Sequence, residues 1–325
     1  MGLFNGFIKP GKGVRKQDVA QNFGFKRFFT TFGDKFWNLV TLNLLYFLIN
    51  CPIFAIFAYL AGVGGVPYKT PVNVLFQPLV GVMRHGESHA LNALYGVVGT
   101  QMEHRYPSTL TNVLLFVGLL SLLTFGISTA AMTYTQRNFV RREPGEIADD
   151  FFGCIKRNWK QSILLGLLDL LFVFVIAFDI VSYLYTTQSF GFLILFYLTL
   201  FLSLIYLLMR PYMYLMVVTF DLKIAKIIKN SWILAVSGIG RNLFCGIFSL
   251  ITLGLNVVVF HFIPSLGVGM LFIFTASVAW FFQIYGAWPV VKKHMIDPFY
   301  EETAPSSSKK EDEDEDDGAV FRDRG

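Results

Sequence analysis

The sequence predicts an all-α, polytopic membrane protein with six transmembrane helices, and three observations carry that expectation. Hydrophobic residues fill 54% of the 325 positions and charged residues only 15%, against about a quarter charged in ordinary soluble domains. The apolar residues are gathered into long blocks that are apolar on every face, unlike the one-sided stripe of a soluble surface helix. Six blocks reach the ~20 residues needed to cross a hydrocarbon core.

In chain order the predicted spans are 38–61, 112–133, 162–185, 191–210, 243–262 and 268–289. The uncharged turn "TTQSF" joins the third to the fourth, and "IPSLG" joins the fifth to the sixth. Pro52 is the one mid-span helix breaker of the kind that marks a discontinuous helix. Residues 1–37 form an N-terminal segment without the continuous apolar run of a signal peptide. Its opening "MGLFNG" lacks the Ser or Thr of a myristoylation site, so the first span is expected to serve as its own insertion signal. The membrane domain is 38–300, with a long external segment at 62–111. Residues 301–325 carry ten acidic and four basic side chains in low-complexity sequence and are expected to be a disordered, solvated tail.

Orientation follows from the basic residues. The N-terminal segment holds seven Lys and Arg, the second-to-third connection six, the stretch from Lys223 to Arg241 four and the C-terminal segment six. Arg210 ends the fourth span on the same side, whereas the opposite side has only Lys69, Arg84 and Arg105. The positive-inside rule therefore predicts cytoplasmic termini in a cell membrane. Without the tail the chain is strongly basic, which suits a cytoplasmic face against anionic lipid; no nucleic-acid partner is expected. Cys51, Cys154 and Cys245 all lie outside the external segment, so no disulfide framework is implied.

The charged stretch "RREPGEIADDFFGCIKRNWKQ", Arg141 to Gln161, sits between two of the most apolar blocks. Read as a helix it starts at Asp149 and Asp150, whose carboxylates complement the dipole. Phe151, Phe152, Ile155 and Trp159 are expected on one side, with Lys156, Arg157 and Lys160 around the flank. A second segment, "DLKIAKIIKNSWILAVSGIGRN", has Lys223, Lys226 and Lys229 beside a stripe of Ile224, Ile227, Ile228 and Trp232. Both read as short amphipathic helices at the inner surface, turning into the next span and contacting lipid or a cytoplasmic partner.

Polar groups inside the spans are the candidate chemistry. Asp169 and Asp179 lie in the third span, ten residues and so about 15 Å apart along the axis. An intramembrane carboxylate is by default a functional hypothesis, as a proton or cation site. The structural alternative is an interhelical hydrogen bond to Asn43, Asn50 or Asn256, in which case an Asp169→Asn change costs only ~1 kcal/mol. Arg210, before Pro211, is expected to snorkel to phosphates, with an acidic partner as the second possibility. In the external segment, His85 and His89 share an i, i+4 spacing and His104 follows Glu103. The order is not that of zinc proteases, and solvated histidines are favoured over a metal site. No nucleophile elbow or phosphate-binding glycine loop is present. No cofactor and no enzymatic activity are expected.

Several stretches carry a family resemblance: "LNLLYFLINCP", "RNFVRREPGEIADDFFGCIKRNWKQS", "FDIVSYLY" and "RPYMYLMVVTFDLKIAKIIKNSWILA". Together they resemble the YesL-like family of bacterial multi-pass membrane proteins, defined as a domain of unknown function. The departure is the segment between spans one and two, usually short in that family. The resemblance implies a bacterial cell-membrane protein tied to carbohydrate uptake beside an ABC sugar transporter. A non-enzymatic accessory or scaffold protein is the leading expectation. The alternative is a cation- or proton-coupled small-solute transporter or a permease subunit. The permease reading is weakened by "IADDFFG" and "ILLG", which match the coupling loop of ABC permeases only in scattered positions and lack its Pro.

Overall fold

The computed structural model describes residues 24–71, 101–186 and 190–297. Its helices are α1 (Phe25–Ile49), α2 (Ile53–Leu60), α3 (Thr109–Leu119), α4 (Ser121–Arg141) and α5 (Ile147–Thr186). They continue as α6 (Phe190–Thr219), α7 (Ile224–Ser237), α8 (Ile239–Phe262), α9 (Pro264–Met270) and α10 (Ala276–Val291). A π-helical turn, Leu271–Thr275, joins α9 to α10, and a second, Lys292–Ile296, extends α10. The fold class is as expected: five helical runs are long and apolar enough to cross a membrane, and α1 with α2 makes a sixth if that bent pair is one span.

The helices overrun their apolar blocks, mostly towards the ends that carry the cations, here called the basic end. α1 begins at Phe25, inside the stretch assigned from sequence to the N-terminal segment. Its early aromatics earn that extension: the Phe28 ring lies 4.9 Å from Phe282 and 5.8 Å from Phe281 of α10. α6 passes through Pro211 as one helix to Thr219, so the proline does not divide it. The amphipathic segment after Asp149 does not turn into the third span. The two are a single 40-residue helix, α5, about 60 Å long at 1.5 Å per residue.

At the basic end the helices pack into a dense core. It includes Leu39 and Leu42 of α1, Phe151 of α5, Tyr212 and Tyr214 of α6 and Phe281 of α10. α10 is central to it, touching α1, α4, α6, α7 and α8. α4 and α5 cross closely. A Cβ on Gly126 would stand 2.1 Å from the Ser162 carbonyl oxygen, and one on Gly166 2.3 Å from the Gly126 Cα. Only hydrogen at both positions permits that approach, as in small-residue contacts between membrane helices.

Three asparagines brace the places where helices break. The span of α1 and α2 bends by 59° around Asn50 to Pro52. Asn50 holds the bend by donating to the Tyr46 carbonyl (2.9 Å) and to Ser128, and by accepting from Thr124. Asn43 donates to the carbonyls of Leu271 and Phe272 in the π turn and accepts from the Ser277 N–H at 2.7 Å. Asn256 donates to the Gly267 carbonyl at 2.9 Å. Backbone groups freed in an apolar medium must find partners, and these side chains supply them. None of the three therefore meets Asp169.

In the segment between α2 and α3, strands β1 (Val66–Pro71) and β2 (Gln101–Tyr106) pair antiparallel, with Val66 opposite Tyr106 and Tyr68 opposite His104. His85 and His89 lie outside the described residues, and among the described residues no group of three metal-ligand side chains assembles.

Candidate functional site

Asp169 sits on the buried face of α5, in line with Phe151, Cys154, Ser162 and Leu165, at spacings of three, four and eight that keep one helix face inward. The residue is 1% exposed and its carboxylate faces α6. There Tyr206, Arg210 and Tyr214 recur every fourth residue and so share one face. The Arg210 Nε donates to Oδ1 at 2.9 Å and Oδ2 at 2.8 Å. The Tyr214 hydroxyl donates to Oδ2 at 2.8 Å and the Tyr206 hydroxyl to Oδ1. Both carboxylate oxygens thus accept two bonds each. Arg210 also lies near two ring faces, 5.5 Å from the Phe125 centroid and 5.3 Å from that of Trp280. Trp280 is itself held, donating its indole N–H to Thr133 at 2.9 Å.

This arrangement supplies the acidic partner that was the second possibility for Arg210. Its side chain is 21% exposed and commits Nε to a buried carboxylate. Three donors, the Tyr206 and Tyr214 hydroxyls and an Arg210 Nε–H shared between both oxygens, converge on one carboxylate, and hydrogen bonds to an ionised partner are the stronger kind. Breaking such a pair by removing one partner typically costs ~3–5 kcal/mol, because the other charge is left uncompensated. Of the four intramembrane candidates, Asp169 and Arg210 come together. Asn43 is engaged at the π turn, and half-buried Asp179 lies ten residues further along α5. Tyr206 and Tyr214 were missed from sequence; the spacing Tyr-x3-Arg-x3-Tyr in an apolar helix was the available signal.

Beside the pair lies a cavity of about 320 Å³ between α6, α8 and α10, with α4 and Tyr46 of α1 at its inner wall. Leu204, Leu207, Ile247 and Leu250 form its outer lip and are exposed to the surroundings of the bundle. Arg210, Asn242 and Gln283 are among its polar lining.

A second site lies at the basic end. Arg137 of α4 is 7% exposed and donates to the Val218 carbonyl and the Thr219 hydroxyl, each at 3.1 Å. It thereby satisfies the last turn of α6, where a cation also complements the dipole. Next to it opens a polar cleft of about 780 Å³, lined by Tyr134, Arg157, Trp159, Lys160 and the end of α6. The Arg157 guanidinium stands 4.8 Å from the Tyr134 ring centroid.

The amphipathic faces differ from the sequence expectation. Phe151 is fully buried, whereas Phe152 and Trp159 are 39% and 48% exposed and share their face with Lys156. Bulk at Phe151 is taken up by the core, so the contact surface is narrower than the predicted stripe. On α7 the inward positions are Ile227, Ser231 and Leu234, while Trp232 is exposed with Lys223, Lys226 and Lys229.

A family profile described as "Protein of unknown function, DUF624" matches residues 109–180. The match takes in α3, α4 and most of α5, including the Gly126–Gly166 crossing and Asp169, and stops before Arg210. No curated protein and no solved structure matches the chain. Fold and match together define a multi-pass membrane protein carrying a domain of uncharacterised function.

Proposed function

We propose that the chain is a non-enzymatic accessory or scaffold protein of a bacterial cell membrane, with both termini cytoplasmic, that serves ABC-type carbohydrate uptake. The observation that carries the non-transporting part is the state of Asp169. A coupled transporter needs a carboxylate that exchanges a proton or cation during its cycle, and here the carboxylate accepts four bonds, two of them from Arg210. The link to carbohydrate uptake is supported by the resemblance of helix one and of the stretches around α5 and α6 to the YesL-like family. The orientation is supported by the cations gathered at one end. Phe152, Lys156 and Trp159, with Arg157 and Lys160 beside the cleft, form the surface offered to the transporter.

The test is purification of the full chain in mild detergent with identification of bound proteins by mass spectrometry. ABC transporter subunits are expected with the native chain and not with Phe152→Ser/Trp159→Ser. Recovery of the same subunits with the double variant removes this surface from the proposal. For orientation, a cysteine placed at Lys69 should react with an impermeant reagent in intact cells, and one at Lys226 should not.

A solute transporter is the second reading, favoured by the cavity beside Asp169. Solute movement by the purified chain alone in lipid vesicles would establish it in place of the accessory role.

A further inference from the structure

Three features of the cavity between α6 and α8 bear on what fills it. The first is its length. The lining of α8 runs from Asn242 to Leu253, eleven helical steps or about 16 Å, which is close to half of the ~30 Å hydrocarbon thickness. The second is its polarity. A Cβ on Gly246 would meet Leu208 at 3.8 Å, which sets these two antiparallel helices in register. Arg210 and Asn242 therefore lie at the basic end of the groove, and Leu204, Leu250 and Leu253 at the other. Arg210 is also twenty residues from Phe190 at the start of α6, so it stands about one hydrocarbon thickness from that end. The third is an unused donor set. Asp169 takes only the Nε of Arg210, and no acceptor among the described residues reaches its two Nη groups.

A groove one leaflet deep, mostly apolar, open on its side and ending in guanidinium donors at the membrane edge fits one kind of occupant. We propose that it is a phospholipid site. One acyl chain lies in the groove, and ester or phosphate oxygens of the same lipid accept from the Arg210 Nη groups. The lateral opening between Leu207 and Ile247 leaves the second chain in the bilayer. A phospholipid suits this geometry better than a free fatty acid, because the site is a side-opening slot in the leaflet rather than an enclosed pouch. The inference is independent of the accessory role and of any sugar transporter.

The test uses the full chain, delipidated in detergent, and native mass spectrometry with added palmitoyl-oleoyl phosphatidylglycerol. Gly246→Leu is the decisive variant, because Gly246 lines the groove and a Cβ there would make only an ordinary contact with Leu208, at 3.8 Å, so that a leucine is accommodated by occupying the groove. Gly254→Leu is its control, since it lies on the same helix outside the cavity and meets nothing within 4 Å. The native chain and Gly254→Leu should each retain one tightly held lipid, with affinity weakened by about tenfold or more in Gly246→Leu. Should Gly246→Leu misfold, Leu250→Trp, which narrows the lip, replaces it. Equal retention by the plugged and control variants overturns the proposal. Retention of added oleic acid in preference to the phospholipid also overturns it.

Discussion

The two ends of α6 are built on different physics. From Phe190 to Leu202 most of its large apolar side chains are exposed, whereas from Pro211 to Val217 every residue is buried. α5 shows the same division, with Phe174, Phe178 and Val181 exposed and Phe151, Cys154 and Leu165 buried. In lipid an apolar side chain gains little by leaving its surroundings for another helix, so exposed leucines and phenylalanines at the apolar end need no partner. At the basic end the helices run beyond one hydrocarbon thickness and pack as a soluble core does. There, buried polar groups such as Gln136, Arg137 and Asp169 each have partners from neighbouring helices. Stability therefore resides at the basic end, and the apolar end chiefly holds the chain in the bilayer.

The largest expected effect tests that division at its tightest point. Gly166→Leu drives a side chain into the backbone of α4 and should abolish recovery of folded protein, read by size-exclusion chromatography in detergent. A monodisperse, full-yield Gly166→Leu would show that α4 and α5 do not cross where described. Next is Asn43→Leu, which strips the π turn of its donor and acceptor. A loss of ~1–3 kcal/mol is the range for leaving buried polar groups unpaired; thermal unfolding of the purified chain measures it, and an unchanged midpoint would remove the asparagine brace. The smallest effect belongs to the apolar end. Phe201→Leu, at a 59% exposed position, should alter stability by less than ~0.5 kcal/mol. A loss as large as that at Asn43 would mean the exposed face is covered, for instance by a second copy.

The spans were legible in the sequence because a run of ~20 residues that is apolar on every face suits a hydrocarbon surround and little else, and Pro52 announced the break after Asn50. The helix ends were not. Residues such as Lys156 and Arg157 beside Phe151 and Trp159 suggested a separate surface helix, yet nothing in "IKRNWKQS" breaks the backbone, so α5 continues. The faces of that helix were misassigned for a related reason: with aromatics on two sides, periodicity cannot say which one meets the core. The strand pair at 66–71 and 101–106 gave no apolar alternation strong enough to declare itself. Asp169 and Arg210 were each identified alone, but they stand 41 positions apart, and their meeting depends on how α5 and α6 align. That pairing also revises the expected tolerance to Asp169→Asn, because the replacement now leaves Arg210 with no counter-charge rather than exchanging one neutral hydrogen bond for another.

A double-mutant cycle on that pair tests most directly whether Asp169 is a structural group. Thermal stability of the full chain in detergent would be compared for Asp169→Asn, Arg210→Gln and the two combined, with sugar uptake by the same cells measured alongside. Each single change is expected to cost ~3–5 kcal/mol, and the combination clearly less than their sum, since neither charge is then left alone. Uptake should fall only as far as the amount of folded protein falls. Asp169→Asn that is as stable as the native chain, fully expressed and yet without uptake would contradict the structural role and return Asp169 to a transport cycle.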